Sequence, residues 1–177
     1  MLMAGKSALR GVLAVVAILS AACVQADIIV YGGSGYSTDD VKPTSSDPSM
    51  AFGFVGVDLG DSKLVVGMDV AQEGTKLDST YGQVNSPKRA VSYNLLIGSN
   101  LTKFNEINID AALIAGFREE SDSCPRSYLG YRCYADQAPD STYVLNYGAA
   151  FFASYHNLMV GARITDASTQ ALVGFRF

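Results

Sequence analysis

Alternation of apolar and polar residues restricts this chain more than any other feature. In "EINIDAALIAGFRE", Ile107, Ile109, Ala111, Leu113, Ala115 and Phe117 share one parity. Asn108, Asp110, Ala112, Ile114, Gly116 and Arg118 share the other. A period of two belongs to an extended strand whose faces meet different surroundings, because successive side chains point to opposite sides.

The same pattern recurs along the chain. "VSYNLLIGSNL" sets Val91, Tyr93, Leu95, Ile97 and Leu101 against Ser92, Asn94, Gly98 and Asn100. "YVLNYGAAFFASY" sets Tyr143, Leu145, Tyr147, Phe151 and Tyr155 against Asn146, Gly148 and Ser154. "NLMVGARIT" sets Leu158, Val160, Ala162 and Ile164 against Asn157, Gly161, Arg163 and Thr165. "KLVVGMDVA" sets Leu64, Val66, Met68 and Val70 against Lys63, Gly67 and Asp69. "TQALVGFRF" sets Val173, Phe175 and Phe177 against Gln170, Gly174 and Arg176. "MAFGFVGVDL" is less regular. Its reading here is Val55, Val57 and Leu59 on the apolar face, Gly56 and Asp58 on the polar one, with a bulge near Phe52–Phe54. "DIIVYGGSGY" gives a short first strand of ambiguous register. The total is eight strands.

The polar face carries a glycine in nearly every strand: Gly56, Gly67, Gly98, Gly116, Gly148, Gly161 and Gly174. It also carries both signs of charge, with Lys63, Arg118, Arg163 and Arg176 against Asp58, Asp69 and Asp110. Small residues and paired charges suit the interior of a narrow closed sheet. The apolar face has almost no charge. A water-facing surface carries charges; a lipid-facing one excludes them, at roughly 2–4 kcal/mol for a midplane Arg or Lys. The fold class expected is therefore all-β, an eight-stranded antiparallel up-and-down transmembrane β-barrel. If the two faces were assigned the wrong way round, the chain would instead be a soluble lipocalin-like carrier.

The first 26 residues read as a cleaved signal peptide. Lys6 and Arg10 precede the apolar run "GVLAVVAILSAA", and "VQA" places cleavage after Ala26. An uncleaved anchor and acylation at Cys23 are the alternatives. The barrel then occupies residues 27–177. Loss of Lys6 and Arg10 takes the basic count from 13 to 11 against 17 acidic residues, and no basic stripe for nucleic acid is present. Of three cysteines, Cys124 and Cys133 remain after the signal. In an oxidising compartment they would close a small disulfide loop, whereas "CPRSYLGYRC" offers too few ligands for a metal.

With the N-terminus in the periplasm, the outer connections become Ser37–Pro48, Glu73–Lys88, Glu119–Asp140 and the short Asp166–Ser168. The periplasmic turns become Gly60–Ser62, Thr102–Asn105 and Tyr155–His156. Long outer loops and tight inner turns are the pattern of an outer-membrane barrel. Phe117 and Tyr143 fall at one end, and Tyr155, Phe175 and Phe177 at the other, as two aromatic girdles would.

Signal peptide, eight alternating strands and an aromatic final strand resemble the small bacterial outer-membrane barrels of the OmpA/OmpX type, including the opacity-protein-like porins. The resemblance spans the barrel segment and rests on architecture, not on a motif. It implies an outer-membrane location with lipid and lipopolysaccharide around the barrel. It also implies that Phe177, with Phe175 and Val173, is the signal read by the barrel-assembly machinery.

Eight strands enclose only enough space for side chains. Lys63, Asp69, Asp110, Arg118, Arg163 and Arg176 are expected to form an interior polar network that plugs the lumen. In the loop after strand five, Arg126, Tyr128, Tyr131, Arg132 and Tyr134 are residue types enriched at binding hot spots, available to an unidentified extracellular ligand. His156 is the only histidine. It lies two residues after Ser154 in a turn, without the His-x-Ser order of lipid A deacylases. The expectation is a monomeric, non-enzymatic, cofactor-free surface protein. A small passive channel and a lipid-modifying barrel enzyme are the alternatives.

Overall fold

The computed structural model describes residues 27–37, 48–58, 62–77, 87–121 and 141–177. They form one closed barrel of eight antiparallel strands in sequence order. The strands are β1 (Asp27–Ser37), β2 (Ser49–Val57), β3 (Leu64–Leu77), β4 (Pro87–Phe104), β5 (Ile107–Ser121), β6 (Ser141–Tyr155), β7 (Leu158–Thr165) and β8 (Ser168–Arg176). β1 pairs with β8 from Ile29–Arg176 to Ser37–Ser168 and closes the sheet. Both ends of the described chain and the turns after β2, β4 and β6 lie at one end, here the turn end. The opposite, loop end holds the β7–β8 turn and the chain positions Ser37, Ser49, Leu77, Pro87, Ser121 and Ser141 at which β1 to β6 end or begin.

Register fixes the barrel's shape. The row Ile28, Gly56, Val66, Ile97, Leu113, Ala149, Ile164, Thr169 returns to β1 at Tyr36, eight residues beyond its start. A climb of one residue per strand tilts the strands by about 35° and raises the chain about 2.7 Å per residue along the axis. Side chains from alternate strands consequently share a level, four at a time. One ring is Val55, Gly98, Phe152 and Gly174; the next towards the loop end is Tyr31, Gly67, Ala112 and Gly161; then come Gly53, Leu96, Ala150 and Leu172. Each ring seats large side chains between small ones. That is the physical use of the glycines on the inner face. At Gly98 an added Cβ would lie 1.9 Å from the Ala111 carbonyl oxygen, so the neighbouring backbone can approach only because no side chain is there.

The outer face is apolar. Leu113, Phe117, Val173 and Phe175 are 72%, 62%, 64% and 57% exposed. Among the described residues, no charged side chain lies on that face from the turn-end aromatics Tyr155, Phe175 and Phe177 to the loop-end aromatics Tyr36, Tyr93, Phe117 and Tyr147. Nine to ten levels give a band about 25 Å tall, the height of a membrane barrel's lipid-facing belt. The charged residues turn inward: Asp69, Asp110, Arg118, Arg163 and Arg176 are all buried. The chain is a transmembrane β-barrel, and the lipocalin-like alternative is excluded by this distribution.

β2 departs from the sequence expectation. Ala51, Val55 and Val57 point inward and are fully buried, while Met50, Phe52 and Phe54 point outward; Gly56 is on the outer parity. Pairing of β2 with β1 and with β3 is continuous, so the bulge expected at Phe52–Phe54 is absent. The strand is apolar on both sides, and the bulkier phenylalanines take the lipid side. Register shifts occur instead between Gln72 and Thr75 and between Asn100 and Thr102. β1 is a full strand of 11 residues.

Strand length divides the barrel in two. β3, β4, β5 and β6 have 14, 18, 15 and 15 residues, against 8, 9, 11 and 9 for β7, β8, β1 and β2. The last β6–β7 pair is Gly148–Thr165 and the last β2–β3 pair is Met50–Gln72. β3 to β6 thus rise about 13 Å beyond the other four at the loop end as a four-stranded wall. The connections Glu73–Lys88 and Glu119–Asp140 expected from the sequence are correspondingly shorter.

Candidate functional site

The loop-end half of the lumen is built around Arg163, on β7. Asp69 on β3 faces it across the same ring. The Arg163 Nε donates to Asp69 Oδ2 at 2.8 Å and Nη2 to Oδ1 at 3.2 Å. The other edge of the guanidinium engages Glu73, Nη1 to Oε2 at 2.9 Å and Nη2 to Oε1 at 2.8 Å. All three side chains are completely buried. A planar guanidinium can serve two carboxylates edge-on, which a lysine could not.

The remaining lone pairs are filled by neutral groups. Thr165 Oγ1 and Ser168 Oγ donate to Glu73 Oε2 at 2.6 and 2.7 Å, Asn146 Nδ2 donates to Oε1 at 2.8 Å, and so does Ser92 Oγ. Asn94 Nδ2 and Tyr31 OH donate to Asp69 at 2.6 and 3.1 Å. Gln170 accepts from Arg163 at 3.2 Å and passes the network to Ser49 at 2.6 Å. Full satisfaction offsets the cost of burying three charges. Arg118 lies above, donating to Asn146 Oδ1 at 3.4 Å and to Asp166 Oδ2 in the β7–β8 turn at 2.6 Å.

A second cluster occupies the turn end. Arg176 on β8 donates to Asp27 at 2.9 Å, Asp110 at 3.0 Å and Asp58 at 3.2 Å, and Asn100 donates to Asp110 at 2.7 Å. Between the clusters lies an apolar septum that includes Ile29, Val55, Leu96, Phe152, Met159 and Leu172, all 0–1% exposed.

Of the residues expected inside, Asp69 and Arg163 meet directly, Arg118 reaches their cluster through Asn146, and Asp110 and Arg176 meet at the other end. Lys63 joins neither. It is exposed, with a φ of 52° in the β2–β3 turn, and its carbonyl accepts from Asn100 N at 2.8 Å. The positive φ breaks the alternation, so parity counted back from Asp69 does not reach it. Glu73, the most heavily hydrogen-bonded carboxylate, was missed by sequence reasoning because "QEG" looks like a turn. Its signal was its phase, since Asp69, Ala71 and Glu73 share one parity. Cys124, Arg126, Tyr128, Tyr131, Arg132, Cys133 and Tyr134 lie outside the described residues. Val173, Phe175 and Phe177 stand on the outer face at the turn end, where Phe177 and Ile28 exchange backbone hydrogen bonds. His156 is exposed in the β6–β7 turn, its Nε2 3.6 Å from Glu106 Oε2, whereas Ser154 is buried facing the lumen.

No family model matches the chain, and no curated protein does. Solved structures similar to it include two of one protein. Ail, the attachment invasion locus protein of Yersinia pestis, in complex with the heparin analogue sucrose octasulfate, is 16% identical; the match covers 86% of this chain and 97% of Ail, with a TM-score of 0.48. A second crystal structure of Ail is 13% identical over the same shares, also with a TM-score of 0.48.

Proposed function

We propose that the chain is a monomeric, non-enzymatic protein of the bacterial outer membrane, exported by residues 1–26, whose loop end faces outward and contacts an extracellular ligand. The observation that carries this reading is the wall formed by β3 to β6. Its β6 rim, Ser141–Asn146, pairs with β5 on one side, and among the described residues no strand pairs with it on the other. "STYVLN" contains neither charge nor proline, the usual guards of an exposed edge. The β3 rim differs: Gly74, at a φ of 73°, sits in its register shift beside Lys76. An open, β-prone rim standing clear of the bilayer suits a partner that adds an extended segment. Residues 122–140, which carry Arg126, Tyr128, Tyr131, Arg132 and Tyr134, immediately precede it in the sequence.

A plugged lumen belongs to the same reading. The septum is about 10 Å deep between the clusters, and each cluster's charges are paired. An ion entering either end would meet low-dielectric packing. This favours the plug over a passive channel, and the separation of Ser154 from His156 gives no support to a lipid-modifying enzyme.

Two measurements test the proposal. Bacteria displaying the protein are expected to adhere to cultured host cells above an empty-vector control, and Leu145→Pro, which removes an N–H on the side of β6 away from β5, should reduce adhesion while the heat-modifiable gel shift of the folded barrel persists. Adhesion equal to the control, or unaltered by the rim variant, would overturn the binding role. Reproducible single-channel steps in planar bilayers would overturn the plug.

A further inference from the structure

We infer that Arg176 is the clasp of the β1–β8 seam, the element that keeps the barrel closed along the line where its first and last strands meet. Seven of the eight strand pairings join consecutive strands; only β1–β8 joins strands separated by most of the chain. Chain connectivity therefore holds the other pairs together after their hydrogen bonds break, but not this one. Closing it is the costliest contact in loop entropy. Its β1 side is also weak, because Gly32, Gly33 and Gly35 offer neither side-chain packing nor stiffness.

Arg176 compensates at the turn end. Its three nitrogens reach across the seam to Asp27 on β1, past it to Asp58 after β2, and over the mouth to Asp110 on β5. One side chain of β8 thereby ties down three separate parts of the barrel. Its own backbone N–H donates to the Asn157 carbonyl at 2.9 Å, and Ile28 and Phe177 exchange hydrogen bonds of 3.1 and 2.9 Å beside it. Arg163 has two ionic partners, and both are on β3. It braces the barrel's middle and does not touch the seam strands' turn-end ladder.

The clasp predicts a selective opening. Hydrogen exchange by NMR on the full-length protein in detergent micelles compares wild type with Arg176→Met. The seam-bonded amides of Ile28, Val30, Val173, Phe175 and Phe177 should exchange at least about tenfold faster in the variant, those of Leu95–Ile97 and Leu113–Ala115 by less than about twofold. Acceleration spread evenly over all strands, or none at the seam, would overturn the inference. If Arg176→Met fails to fold, Asp27→Asn removes only the bridge across the seam. Seam-selective acceleration in that variant supports the clasp, and its absence refutes it.

Discussion

Replacing Arg163 by methionine keeps most of the side-chain volume and removes the charge. Arg163 donates six hydrogen bonds of 3.4 Å or less, four of them to Asp69 and Glu73. The variant leaves two carboxylates at 0% exposure with no counter-charge. Breaking one buried pair costs about 3–5 kcal/mol, and with two carboxylates stranded the upper end, about 5 kcal/mol, is expected. Urea unfolding of vesicle-embedded protein, followed by loss of the heat-modifiable band, measures it. The triple variant R163M/D69N/E73Q removes the stranded charges and should return to within about 2 kcal/mol of wild type. Two results would refute the reasoning. A loss under about 1 kcal/mol for R163M would mean that water screens the cluster. A triple variant no better than R163M would mean that the loss comes from packing and not from unpaired charge.

Three further outcomes are expected. The chain contains no tryptophan, so Phe54→Trp reports which face of β2 meets lipid: brominated acyl chains should quench it strongly, and weak quenching would restore the sequence-based faces. Tyr31→Phe deletes a single 3.1 Å hydrogen bond to Asp69 and should cost about 1 kcal/mol in the same urea assay; no loss would remove the phenol from the network. Thiol titration of unreduced protein should find Cys124 and Cys133 unreactive, and reduction should lower stability by about 2–3 kcal/mol; two free thiols would exclude the disulfide.

How much could be read from the sequence follows from where polarity marks a face. β5 and β7 announce themselves, since Asp110, Arg118 and Arg163 can only face inward from a lipid-bounded strand. β2 carries no such marker within Ser49–Val57, and volume decides which apolar side meets lipid. Lys63 and Glu73 failed for opposite reasons. Lys63 is itself left-handed, so the alternation ends before it, whereas β3 continues past Glu73 through Gly74. The clusters were legible as inward charges but not as partners, because pairing depends on ring level. Levels follow from register, which no single strand contains.

The four-residue rings also set which positions of this chain are free to change. Inside the lumen, Phe152 is a stranger to its sequence neighbours Phe151 and Ala153, which face lipid. Its size is answerable to Val55, some hundred positions away. Leu96 and Leu172 stand in the same relation. Each ring has a nearly fixed capacity, so a gain of volume at one member must be matched by a loss at another. Among descendants of this sequence, compensating changes should pair 55 with 152 and 96 with 172, while the lipid-facing positions between them drift independently. The barrel's history would then be written in rings, not along the strand.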